Sequence, residues 1–251
     1  MEILVCRPEK DTLDLVELLC SKNCRAIDLP VIKIFYKNIS ERIHQYNTII
    51  FTSKYAVEGL FKQYYPKLFV NKKIYAIGAS TTRLLREFGL NAEYPRTKYN
   101  SQELFQLIFQ HDISEQELAI VSGVGGNDFL IKELSKYTKC YKFETYERVF
   151  EEVDYLYNRY IQSFSQQNPK VIVVTSLDVF RSLIRIFVKT SAPKDAIITI
   201  TSPKMLEFVN KQGFKNILKL EKIDNDYICR KILEITEASR NVGNKRFSSA
   251  E

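Results

Sequence analysis

Two stretches of the chain set hydroxyl groups where an anion could be held. "IIFTS" at 49–53 and "IVVTS" at 172–176 each run from apolar, largely β-branched residues into a Thr-Ser pair, and a helical pattern begins at once. Thr52, Ser53, Thr175 and Ser176 therefore stand at strand-to-helix junctions. There a hydroxyl can cap the helix, while neighbouring amides, aided by the helix dipole, take a negative charge. Plain helix capping uses the same residues, so one copy would say little; two copies point to a shared ligand carrying carboxylates or phosphates. "AIGAST" adds Gly78, Ala79 and Ser80, a turn where glycine permits close backbone approach, and "ITSPKML" adds Ser202 ahead of Pro203 at another helix start. "VSGVGGND" brings Ser122 and Gly123 into a glycine-rich turn that looks like a phosphate loop. It lacks the Gly-Lys-Ser/Thr ending, however, and no lysine follows until Lys132, which argues against a nucleotide.

Other chemistries lack their residues. The cysteines Cys6, Cys20, Cys24, Cys140 and Cys229 are scattered without a CxxC pair, and His44 and His111 are the only histidines. That excludes a disulfide framework, a zinc site and a Ser-His-Asp triad, and carboxylates do not cluster at strand ends as a metal site would need. No metal or cofactor is expected. The formal charge of +7 favours anionic partners, yet Lys and Arg are spread along the chain without the compact basic run of a nucleic-acid binder. The N-terminus "MEILVCRPEK" lacks the layout of a signal peptide, and no apolar run reaches the roughly 18 residues needed to span a bilayer. The expectation is a cytoplasmic protein acting on a small polyanion, with no membrane and no nucleic acid as partner.

These junctions need strands that alternate with helices. "EILVC", "AIDLPVIKIF", "NTIIFTS", "KIYAIG", "ELAIVSG", "CYKFETYERV", "KVIVVTS", "AIITI" and "NILKL" read as strands. Leu15, Leu18 and Leu19, then Val57, Leu60, Phe61 and Tyr64, and later Val179, Phe180, Leu183 and Phe187 recur at helical spacing; another helix is expected near 153–164. The alternation predicts α/β architecture with parallel sheets covered by helices on both faces. An internal repeat accompanies it: Ile49 to Ser53 align with Ile172 to Ser176, Ile77 with Ile200, Gly89 with Gly213, and Cys24 with Cys140. The polar, aperiodic stretch 241–251 reads as a flexible tail.

In order, "VCRPE", "LPVIKI", "IIFTSKYAV", "YAIGASTTRLLREFG", "VSGVGGNDFL", "ETYERV" and "VVTSLDVF" resemble the uroporphyrinogen-III synthase family over roughly residues 3–235. The resemblance implies two doubly wound parallel-sheet domains, flavodoxin-like or related, joined by a two-segment extended linker, with the active site in the cleft between them. Domain 1 would comprise 1–37 and 147–240, and domain 2 would comprise 38–146, with linker segments near 30–37 and 142–148. A monomer is implied.

The implied reaction needs neither metal nor cofactor. Hydroxymethylbilane, a linear polycarboxylate tetrapyrrole, loses its terminal hydroxyl to give an electrophilic azafulvene. Attack by the substituted carbon of the last ring gives a spiro intermediate, which fragments and recloses with that ring inverted. The protein must grip the acidic side chains, fold the chain for inverted closure and help the hydroxyl leave. By resemblance Tyr146 assists that departure, Arg7 is retained at the end of the first strand, and the junction residues hold carboxylates. Three positions depart from the family's pattern: Cys6 stands where threonine is usual, Asn127 where arginine is frequent, and Thr201 where the first half has a glycine. A non-catalytic anion-binding or regulatory module on the same fold is the alternative these departures leave open.

Overall fold

The structure, a computed structural model, describes residues 2–40, 42–111, 113, 116–165 and 167–247, with side chains as far as 237. Its elements run β1 (Glu2–Cys6), α1 (Glu9–Ser21), β2 (Arg25–Asp28), β3 (Ile32–Tyr36), β4 (Thr48–Phe51), α2 (Lys54–Phe61), β5 (Lys73–Ala76), α3 (Ala79–Glu87), α4 (Ser101–Phe109) and β6 (Glu117–Gly123). They continue with α5 (Phe129–Leu134), β7 (Lys139–Phe150), α6 (Val153–Ser163), β8 (Val171–Val174), α7 (Leu177–Phe187), β9 (Ile197–Ile200), α8 (Pro203–Lys211), β10 (Ile217–Lys219) and α9 (Asn225–Phe247). The chain divides into two compact units, one made of Met1–Lys33 and Val149–Glu251, the other of Ile34–Arg148.

In the first unit the strands lie in the order β10-β9-β8-β1-β2, and each pair of neighbours is parallel. Successive side chains of a strand point to opposite faces. Ile3 and Val5 of β1 pack with Leu15 and Leu19 of α1 and with Ile228 and Ile232 of α9, while the intervening Leu4 is also fully buried, so both faces are covered. Strands buried on both sides must be apolar throughout, which is why "EILVC" and "VIVV" show no alternation.

The second unit has the order β3-β7-β6-β4-β5. Ile49 and Phe51 of β4 face Val57 and Leu60 of α2, and Ile50 faces Leu104 and Ile108 of α4 with Leu130 and Leu134 of α5. The strands from β7 to β5 are parallel. The edge strand β3 is not: Lys37 N donates to Thr145 O at 2.9 Å and Glu151 N to Val31 O at 3.1 Å, so the numbering rises on β3 as it falls on β7. The segments expected to be extended linkers thus pair with each other as an antiparallel ribbon.

Two helices lie where the apolar spacing assigned none. Helix α4 begins at Asn100, whose Oδ1 accepts from Glu103 N at 2.8 Å; the run "NSQE" is a capping signature that reveals it. Helix α9 continues to Phe247, into the stretch expected to be a tail, because a helix already nucleated propagates through polar residues at little cost per residue. The rest of that stretch, 248–251, lies outside the described residues.

The repeat read from the sequence also needs correction. β4 and β8 share a local form, but β4 is next to last in its sheet and β8 is central; by position β4 matches β1, and β6 matches β8. The likeness arises because every buried parallel strand that feeds a helix has the same needs, an apolar run and then a capping hydroxyl.

Candidate functional site

In an open parallel sheet, ligands settle beyond the carboxyl ends of the strands, at the point where the strand order reverses. In the second unit this point lies between β4 and β6, since β5 and β6 flank β4 on opposite sides. Thr52-Ser53 after β4 and Ser122-Gly123 at the end of β6 both border it. In the first unit the reversal lies between β1 and β8, which brings Arg7 and Thr175-Ser176 to it. Gly78, Ala79 and Ser80 follow the edge strand β5, and Ser202 follows β9, each one strand away from a reversal.

The second unit holds the richest cluster. Ser53 caps α2, its Oγ accepting from Ala56 N at 3.0 Å, and the same hydroxyl donates to the Tyr146 hydroxyl at 3.0 Å. Thr52 is held against β6, its amide donating to Val121 O at 3.0 Å and its hydroxyl to the same carbonyl at 3.1 Å. Tyr146 reaches Ser53 through a bulge: Ser122 pairs with Glu144 but Gly123 with Tyr146, so Thr145 is the extra residue. Bulges turn a side chain out of the regular alternation. The skipped Thr145 is fixed by its hydroxyl, which donates to Ala56 O at 3.1 Å. The Tyr146 ring is 2% exposed, with Tyr55 5.7 Å away between centroids. It lies flush on Gly123, where a Cβ would come within 2.5 Å of the Tyr146 Cζ.

One neighbour was not legible as a site residue. Arg148 Nη2 donates to the Tyr146 hydroxyl at 3.4 Å, and its guanidinium carbon lies 5.9 Å from the centre of that ring. The only sequence signal was its place two residues on in "ETYERV", which puts both side chains on one face of the strand.

The other expected residues divide. Ser122 is buried, and its hydroxyl has no hydrogen-bond partner among the described residues, a cost that a native site has to explain. Gly78 is extended, and a Cβ there would lie 2.7 Å from Tyr99 Cγ, so its smallness serves that aromatic side chain; Ser80 is exposed on α3. Ser176 caps α7 by accepting from Val179 N at 3.3 Å, and Ser202 caps α8 by accepting from Met205 N at 3.3 Å. Arg7 is buried. Its guanidinium donates to Asn225 Oδ1 and to Ile223 O at 2.9 Å and stands 3.8 Å from Asp11, which ties the end of β1 to the start of α9. Such a clamp shapes the loop at the end of β1.

The three departures each have a local role. Cys6 is wholly buried, and burial, with Asp28 nearby, pushes its thiol well above the usual range, so it behaves as a small core residue. Asn127 Oδ1 accepts from Phe129 N at 2.9 Å at the start of α5. Thr201 Oγ1 donates to Thr175 O at 3.3 Å and so joins the two loops that carry Ser176 and Ser202. Among the described residues, no group of His, Cys, Asp and Glu could hold a metal ion.

A family model described as uroporphyrinogen-III synthase HemD matches residues 14–227. No curated protein matches the sequence. Among solved structures, the uroporphyrinogen-III synthetase of Helicobacter pylori is similar, with 15% identity and a TM-score of 0.61 over 95% of this chain and 99% of that one. A mutant uroporphyrinogen III synthase from Thermus thermophilus is 11% identical, with a TM-score of 0.58 over 96% of this chain and 100% of that one. At these identities the two structures speak for the fold, and the family model speaks for the family.

Proposed function

This chain belongs to the uroporphyrinogen-III synthase family, and we propose from that premise how its own residues carry the reaction. The enzyme cyclises hydroxymethylbilane to uroporphyrinogen III, with loss of water and inversion of the last pyrrole ring. Its pyrroles are electron-rich, so the substrate supplies its own nucleophile. The protein's tasks are to hold a polycarboxylate in the folded arrangement and to let a hydroxyl depart.

The observation that carries the assignment is the hydrogen bond between Ser53 and Tyr146 at the strand-order reversal of the second unit. Tyr146 gives its phenolic proton to the departing hydroxyl; general acid help of this kind is worth about 10²–10⁴-fold. Thr52 and Ser53, with the amides at the start of α2, take substrate carboxylates. Thr175, Ser176 and Ser202 do the same in the first unit, and Ser122 and Gly123 complete the rim beside Tyr146. Gly78, Ala79 and Ser80 contribute backbone and hydroxyl donors at the edge strand. Arg7 acts by shaping its loop. The enzyme works as a cytoplasmic monomer without nucleic acid; its +7 charge, spread along the chain, suits a polycarboxylate. No helix among the described residues is long and apolar enough to cross a membrane.

Thr52→Ala and Ser176→Ala test the grip. Each removes one hydroxyl and leaves the amides in place, so each is expected to weaken substrate binding by about 0.5–2 kcal/mol, read as a rise in KM at nearly constant turnover. Unchanged KM and turnover in both folded variants would reduce these junctions to helix caps.

A further inference from the structure

We infer that Arg148 is a positioning residue for the reaction: its guanidinium holds the Tyr146 hydroxyl oxygen in place and stabilises that oxygen once its proton has left. The inference rests on the assignment of Tyr146 as the acid and extends it to a residue that the family resemblance did not single out.

Ala56 N donates to Ser53 Oγ, Ser53 Oγ donates to the Tyr146 oxygen, and Arg148 Nη2 donates to that same oxygen. A phenolic oxygen has two lone pairs and one proton, while a guanidinium can only donate. Both lone pairs are then occupied, and the phenolic proton has no acceptor among the described residues. A hydroxyl pair on its own can reverse, with Tyr146 donating to Ser53 instead. Arg148 can only donate, so it stays against the phenol oxygen whichever way that pair is turned.

Charge is the second strand. Other cations of this kind are already paired: Arg159 with Asp28, Lys142 with Asp128 and Glu144, and Arg7 with Asp11. Arg148 is exposed, and its described contacts are with Tyr146 alone. A positive group attracts the negative charge that develops on an oxygen beside it. In the step itself, the carbon–oxygen bond of the hydroxymethyl group breaks, and the departing oxygen keeps the bonding pair. It takes the Tyr146 proton and leaves as water, while the pyrrole nitrogen's lone pair fills the position given up on carbon. The negative charge left on Tyr146 lies against the Ser53 hydroxyl and the Arg148 guanidinium until the proton released by the closing ring restores the phenol. The remaining guanidinium donors have the fork geometry that suits a substrate carboxylate.

A double-mutant cycle on the full chain tests this with hydroxymethylbilane as substrate. Arg148→Gln is expected to lower kcat about tenfold, the size of one charge-assisted hydrogen bond, with thermal stability unchanged because the side chain is exposed. Arg148→Lys should recover part of that loss. In a Tyr146→Phe background, Arg148→Gln should cost little further kcat, since the oxygen it acts through is gone. An equal loss in both backgrounds would overturn the inference while leaving Tyr146 as the acid, and so would a wild-type kcat in Arg148→Gln alongside an impaired Tyr146→Phe. Wild-type kcat in Tyr146→Phe would overturn the acid assignment and this inference together.

Discussion

Tyr146→Phe is expected to lower turnover at least about tenfold, a floor set below the about 10²–10⁴-fold that general acid assistance contributes, while the unfolding temperature stays close to that of the wild type. The ring is buried on Gly123 and beside Tyr55, and phenylalanine keeps that packing. What disappears is the oxygen on which Ser53 and Arg148 converge. The preference for the inverted isomer should survive, because inversion depends on how the substrate is folded and not on how its hydroxyl departs. Steady-state turnover, isomer analysis and thermal denaturation of the same preparation check all three statements. Full turnover in a folded Tyr146→Phe protein would take the residue out of the mechanism and leave substrate positioning as the source of catalysis.

Gly123→Ala should be at least as damaging, by a different route. The added methyl would meet Tyr146 ring carbons at 2.5, 2.8 and 2.9 Å, closer than packed atoms tolerate, so the ring must leave its place. Overpacking of this kind costs about 1–3 kcal/mol of stability, and moving the ring also carries the hydroxyl away from Ser53. Combining the substitution with Tyr146→Phe should give no relief, because the atoms in conflict are carbons that phenylalanine retains. Tyr146→Leu, with a shorter side chain, should restore part of the stability without restoring activity. Thermal unfolding and turnover of these three variants beside the wild type separate a steric cause from a general loss of fold; wild-type values for Gly123→Ala would show that the ring has room to move.

How far the sequence revealed the molecule depended on how local each determinant is. Ser53, Ser176 and Ser202 were legible because an N-cap is decided within four residues, and each of the three does accept from the amide three residues on. The apolar runs of β1, β4, β6 and β8 were legible for the same reason. The order of those strands was not: a likeness between β4 and β8 reports what each strand needs and not where it lies. The antiparallel pairing of β3 with β7 joins residues more than a hundred positions apart, and nothing in either segment announces its partner. The approach of Ser53, Tyr146 and Arg148 needed the bulge at Thr145, which carries no glycine or proline to mark it. Arg7 was legible from its residue type and its place at a strand end, whereas its contacts with Asn225, Ile223 and Asp11 were not, because two of those partners lie more than two hundred positions away.

This chain closes hydroxymethylbilane with its last ring inverted. Freshly prepared hydroxymethylbilane closes without a catalyst to uroporphyrinogen I, so the two products separate enzyme from background. Incubation with the full-length protein, oxidation of the products and chromatographic separation of uroporphyrins I and III give the ratio directly. Isomer III is expected in excess, formed faster than isomer I appears in buffer alone. Isomer I as the main product, at the rate and proportion of the protein-free control, would contradict it.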